Sequence, residues 1–200
     1  MILSDGEIEQ ALDKGEIKID PRPSEEQISP SSVDFLLHNE LVEYKTPEEL
    51  RAGILGGTWP SGDPRQKGIE VKLIVNPEVL KNFSQILGML SKPVKCESDG
   101  SFILYPGGFV LGKTREIVTL GPKIAARVEG KSTLARLGIS IHLTAPIIHA
   151  GWDGVLVLEL KNAGPYPFRL VPGMTICQVV FERLGRLPKR PMRSQYKGQR

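Results

Sequence analysis

Apolar positions along the chain follow two periods. Near the start, Ile8, Ala11 and Leu12 recur at helical spacing behind Ser4-Asp5-Gly6-Glu7, a capping box closed at its far end by Gly15. Thr46-Pro47-Glu48-Glu49 opens a second helix with Pro in its first turn. Asn76-Pro77-Glu78 opens a third, in which Val79, Leu80, Phe83, Ile86, Leu87 and Leu90 form one apolar stripe expected in the core. Elsewhere the apolar runs are short: 33–37, 71–75, 102–105, 109–112, 117–120, 124–129, 139–144, 155–161 and 175–183. Gly and Pro punctuate them at intervals of about 8 to 12 residues, the rhythm of a β-sandwich or barrel rather than of βαβ units. The stretch 53–64 reads as a loop. With no internal repeat and no dividing linker, the pattern predicts one mainly β domain over 1–190 with a few short helices, followed by a separate tail at 191–200.

Composition narrows the setting. Two hundred residues suffice for a core without staples, and two cysteines, Cys96 and Cys177, make neither a disulfide framework nor a Cys-rich zinc site. No apolar run approaches a membrane span and the N-terminus lacks the apolar segment of a leader, so a cytoplasmic, membrane-free protein is expected. Charge is unevenly spread. Seven of the 26 basic residues fall in 183–200, which holds no acid, leaving 19 basic against all 23 acidic residues in the rest. A basic tail on an acidic body suits a mobile segment that meets an anion; a merely solvated tail is the alternative.

Three stretches carry candidate chemistry. Val155 to Asn162 reads VLVLELKN, with Leu156, Leu158 and Leu160 on one face and Val155, Val157 and Glu159 on the other. Both faces are apolar but for Glu159, which predicts a strand covered on both sides. A carboxylate there is costly unless bonded and is suited to general-base work; the alternative is a polar residue near an exposed edge. EGKSTLARLG at 129–138 ends like a P-loop, but the required Gly five positions before Gly130 is Ala125, and strand-like runs lie on both sides. What remains is a turn in which backbone amides with Ser132 and Thr133 can nest an anion and Arg136 can fork onto one, or an ordinary polar hairpin end. APIIHAGWDG at 145–154 offers His149 to a sugar or phosphate and Trp152 to a base, or a surface His and a packing Trp. Gln178 sits inside an apolar run and needs partners, in the protein or in a ligand. His38-Asn39-Glu40 mimics half of a zinc deaminase motif whose Pro-Cys-x-x-Cys half is absent, so no catalytic zinc is expected.

The sequence resembles the dCTP deaminases of the trimeric dUTPase-like superfamily. The match runs from SDGEIEQALDKGEIKIDP through ISPSSVDFLL, is strongest over VEGKSTLARLGISIHLTAPIIHAGWDGVLVLEL, and ends in PGMTICQVVFE and the QYKGQ tail. The resemblance implies a dUTPase-like β-barrel or β-clip, assembled as a homotrimer with active sites between subunits. It implies zinc-independent hydrolysis of dCTP to dUTP and ammonia, with Mg2+ arriving on the triphosphate and no nucleic-acid partner. Glu159 is then the base and proton shuttle, Ser132 and Arg136 complete the catalytic set, and Lys131, Thr133, Leu134 and Ala135 complete the nucleotide turn. His149, Trp152, Gln178, Gln195 and Gln199 join as nucleotide contacts, Val157 and Leu158 offer backbone groups to the pyrimidine, and 191–200 becomes a flexible basic lid. dTTP, an inhibitor of relatives, is a candidate regulatory ligand. Three positions depart from the family: His149 replaces an Asp that contacts the sugar, Pro191-Met192 replaces Pro-Tyr, and Gln195 replaces a phosphate-facing Lys. The competing readings are a dUTPase or bifunctional enzyme, which the His149 departure disfavours, and a non-catalytic nucleotide-binding regulator, which the costly Glu159 disfavours.

Overall fold

The computed structural model describes residues 1–54, 76–194 and 196–199. The predicted strand at 71–75, positions 55–64 of the predicted loop, and Gln195 lie outside the described residues. Two compact units emerge, Met1–Leu41 with Val94–Arg200 and Val42–Pro93.

The first unit opens with α1 (Asp5–Asp13), capped as predicted: the Ser4 backbone amide donates to Glu7 Oε2 at 2.9 Å and the Glu7 amide to Ser4 Oγ at 3.4 Å. Ile8, Ala11 and Leu12 are its buried stripe. Strands β1 (Ile17–Asp20), β2 (Ile28–Ser29) and β3 (Ser32–Tyr44) follow, the last ending in the second unit. That second unit holds α2 (Pro47–Ile54), α3 (Pro77–Lys81), α4 (Phe83–Leu90) and β4 (Ser91–Pro93), which pairs antiparallel with residues 42–44 of β3. Back in the first unit come β5 (Phe102–Leu104), β6 (Phe109–Leu120), β7 (Ile124–Gly130), α5 (Ser132–Arg136), β8 (Ile139–Ser140), β9 (Ile147–Ile148), β10 (Asp153–Asn162), β11 (Phe168–Leu170) and β12 (Thr175–Arg183). The main sheet runs β8-β10-β6-β3-β12-β7-β9, with β1 on β6 and β2 on β3, while β11 and β5 pair separately. The mainly β expectation is met. None of the helices described is long and apolar enough to cross a membrane.

The core of the first unit gathers the inward faces of the long strands: Val33, Phe35 and Leu37 of β3, Val118 and Leu120 of β6, Ile124 and Val128 of β7, Leu158 and Leu160 of β10, and Val179 and Phe181 of β12. Each such side chain contributes about 1.5–3 kcal/mol by leaving water.

Three expectations change. The predicted loop starts inside a helix, because α2 extends to Ile54. The apolar stripe at 79–90 is two helices, broken at Asn82 (φ −110°, ψ 19°), and no described residue of α4 is buried. Leu80 is 52% exposed and Phe83, Ile86 and Leu90 are half-buried, so a stripe expected in the core carries more apolar surface than the described part of this short unit covers. Finally, the runs 109–112 and 117–120 form one strand, since the polar residues between them stay in β6, with Thr114 and Glu116 buried.

Candidate active site

The turn at 130–136 is built by strands around it. β7 ends at Gly130, Lys131 adopts an extended conformation (φ −77°, ψ 130°) as helix cap, and α5 makes a single turn. That one-turn helix stands where the sequence suggested a turn between strands. A helix this short leaves its first amides without partners inside it. Ser132, Thr133, Ala135 and Arg136 are exposed, and among the described residues none of the Ser132, Thr133 or Arg136 side chains takes a hydrogen bond or ion pair. Leu134 packs instead against the core.

Behind the turn lies a bonded network. Lys131 Nζ donates to both carboxylate oxygens of Asp34 on β3, at 2.7 and 2.9 Å. Gln178 of β12 stands opposite Asp34 on one side and Glu129 on the other. Its Nε2 donates to the Gly130 carbonyl and its Oε1 accepts from Ser32 Oγ, each at 3.2 Å. The Gln178 amide, half-buried in the structure, is therefore satisfied within the protein. Asp34 and Ser32 were not flagged, although Asp34 between buried Val33 and Phe35 shows the same signal that singled out Glu159: one acid in an apolar alternation.

β10 carries Glu159 differently from the prediction. Its partners on β6 jump from Ile117, opposite Val155, to Lys113, opposite Val157, so the regular alternation is broken at Leu156. Val155, Leu156, Leu158 and Leu160 are buried, but Val157 is 47% exposed and Glu159 half-buried. The strand is thus covered on one face and open around Val157 on the other, not covered on both. Glu159 Oε2 accepts the Leu143 amide at 2.8 Å, and the Glu159 amide donates to the Ile141 carbonyl at 2.9 Å. Among the described residues Oε1 accepts no hydrogen bond. Val157, two residues away, shares the outward backbone direction of Glu159. Leu158, backbone included, has no exposed surface among the described residues.

Glycines fix α5 against the end of β10. Gly138 has φ +91°, and a Cβ there would lie 2.4 Å from the Gly164 nitrogen; the Ala163 amide donates to the Gly138 carbonyl at 2.8 Å. The turn and the strand are thereby adjoining, yet among the described residues no hydrogen bond or ion pair joins Glu159 to Ser132 or Arg136.

The remaining candidates separate. His149 is exposed and its carbonyl accepts from the Trp152 amide at 3.1 Å. Trp152 packs on the core and donates Nε1 to the Gly154 carbonyl at 3.2 Å, which is the packing role. Gln199 lies along the start of β10: Val155 N–H donates to its carbonyl at 3.2 Å and its Nε2 donates to the Val155 carbonyl at 3.0 Å. His142, unflagged by sequence, has a buried Nδ1 without a hydrogen-bond partner among the described residues, and it lies between the two residues that bond Glu159.

Comparison with known proteins supplies the family. The sequence model of the dCTP deaminase-like family matches residues 67–184. A protein of Methanosphaera stadtmanae named dCTP deaminase, dUMP-forming, is 36% identical over 95% of this chain and 83% of its own length. One of Shewanella frigidimarina named dCTP deaminase is 38% identical over 100% of this chain and 94% of its own. Among solved structures, the 2'-deoxycytidine 5'-triphosphate deaminase of Agrobacterium tumefaciens superposes with a TM-score of 0.61 at 20% identity, covering 92% of this chain. The present chain spans 48% of that protein, and the likeness is one of fold.

Proposed function

The chain belongs to the dCTP deaminase-like family, and from that membership we propose that it hydrolyses dCTP to dUTP and ammonia. The observation that carries the reading is the state of Glu159: one carboxylate oxygen is anchored by the Leu143 amide while the other takes no bond among the described residues, on a strand open beside Val157. A carboxylate so held is oriented yet keeps a lone pair for a water.

In this reading Glu159 Oε1 takes a proton from water as the oxygen attacks C4 of the cytosine ring. The carboxyl passes that proton to N3, then takes the proton of the new C4 hydroxyl and gives it to the amine, which departs as ammonia as the C4–N bond breaks. Ser132 steadies the water or the developing charge, and Arg136 braces the base and Glu159. The backbone at Val157 faces the pyrimidine, Lys131 to Arg136 receives the triphosphate, which brings its own Mg2+, and Gln178 joins as a nucleotide contact. The chemistry asks for no zinc. As the family resemblance implies, the catalytic set is completed between subunits of a homotrimer. The exposed Leu143 (54%), Ile147 (63%) and Val157 (47%) support such an apposition.

The dUMP-forming relative favours a second reading, in which pyrophosphate also leaves. Incubating the protein with dCTP and Mg2+ and measuring ammonia and pyrophosphate decides between them: ammonia alone supports the first, both products the second, and neither overturns both. Glu159→Gln is expected to lower ammonia release by at least about 100-fold, the usual scale of a general base, with dCTP still bound. Normal turnover by that variant removes Glu159 from the chemistry.

A further inference from the structure

We propose that Asp34 is the positioning residue of the phosphate turn, fixing the Lys131 ammonium at the start of α5 so that its remaining donor meets the triphosphate. The inference rests on the reading that this turn receives a nucleoside triphosphate.

Asp34 lies on the middle of the sheet, between β12 and the rest of β3's neighbours, with Val33 and Phe35 fully buried beside it. Its side chain is 17% exposed and that of Lys131 29%. A half-buried ion pair is a weak source of stability, because losing hydration offsets part of the attraction. The pair therefore calls for another account, and its place supplies one. Lys131 is followed directly by the exposed Ser132 and Thr133, whose side chains take no bond among the described residues. An ammonium has three donors; two go to Asp34, which leaves one.

The surroundings are arranged to keep that donor still. Gln27 Nε2 holds the Asp34 carbonyl at 2.9 Å from one side. Gln178 holds the Gly130 carbonyl at 3.2 Å and is itself held by Ser32 Oγ. The backbone just before Lys131 is thus pinned from β12 and the tip of its side chain from β3. A long flexible side chain ordered before its ligand arrives loses less entropy on binding, so the contact becomes stronger for the same charge. Arg136, by contrast, is exposed and unbonded among the described residues. The opposite role is also physical: Asp34 neutralises Lys131 and competes with phosphate. The two roles predict opposite signs.

A double-mutant cycle on the full chain separates them. KM and kcat for ammonia release from dCTP with Mg2+, and the dCTP Kd by calorimetry, are measured for Asp34→Asn, Lys131→Ala and the pair. The expected result is a KM and Kd raised about tenfold by either single change, kcat little altered, and a double variant no worse than Lys131→Ala alone. Deoxycytidine, which has no phosphates, should bind all four proteins alike. An Asp34→Asn variant with unchanged or tighter dCTP binding overturns the proposal, as does a double variant that loses the product of the single effects. If Asp34→Asn fails to fold, Asp34→Glu carries the cycle, since it keeps the charge but displaces it by one methylene; the same outcomes apply. A wild-type protein that binds dCTP without releasing ammonia sinks the proposed reaction alone, and the cycle is read on Kd. Failure to bind dCTP at all overturns both.

Discussion

Cys177 sits on β12 with no exposed surface, and its thiol is pushed far above the ordinary range, first by burial and then by the Glu116 and Asp34 carboxylates. A thiol kept protonated and out of reach is no nucleophile. Cys96 is only half-buried. A thiol reagent applied to the native protein at neutral pH is accordingly expected to label Cys96 and leave Cys177, with both reacting after denaturation; equal native rates would refute this burial. The same alternation that buries Cys177 shows how far single residues are legible. Glu159 could be picked out as a lone acid among apolar neighbours, but its exposure could not, because the register jump at Leu156 leaves no mark in residue types. Asp34 carries the same signal in SSVDFLL, but its meaning depends on Lys131, 97 positions away.

At the scale of elements, β6 shows what a polar interruption can conceal. Thr114, Arg115 and Glu116 separate two apolar runs in the sequence, yet they stay in the strand because each polar group has somewhere to go. Glu116, 1% exposed, accepts the Leu36 amide of β3 at 2.8 Å and Arg115 at 3.1 Å. Thr114 Oγ1 accepts the Leu156 amide of β10 at 3.0 Å and donates to the Glu116 carbonyl. These bonds satisfy amides at two points where strand register shifts, beside Leu156 on β10 and opposite Ile176 on β12. Glu116→Ala leaves the half-buried Leu36 amide without its acceptor and Arg115 without its partner, and is expected to cost about 2–4 kcal/mol, read from the urea midpoint. Glu116→Gln keeps an acceptor there and should cost clearly less. Equal losses would mean that packing, not the bond to Leu36, is what matters. Helix starts were legible to the residue, because Ser4 and Pro47 act locally. Burial of α4 was not, because periodicity says which face is apolar and nothing about what lies opposite.

At the scale of the whole molecule, the uneven charge becomes a question of where the basic tail goes. The Gly198 amide donates to the Asp153 carbonyl at 2.7 Å, and Gln199 exchanges backbone and side-chain bonds with Val155. Gly154 is what permits this approach: with φ +146°, a Cβ there would lie 2.8 Å from the Gln199 carbonyl oxygen. The tail thus pairs with Asp153 and Val155 at the start of β10, and Lys197 directly precedes that contact. Backbone pairing of this kind has no sequence signature beyond the glycine, whereas the excess of positive charge was plain from composition. We propose that the same segment closes over the triphosphate. Deleting 192–200 is then expected to raise the dCTP Kd and flatten its dependence on salt, since cations that contact phosphate weaken with ionic strength. It should also lower the melting temperature slightly, because the Val155 and Asp153 backbone groups lose their partners to water. The two readouts separate two roles. A lowered melting temperature with unchanged Kd and unchanged salt dependence would leave the tail as an edge cover for β10 and remove it from nucleotide binding.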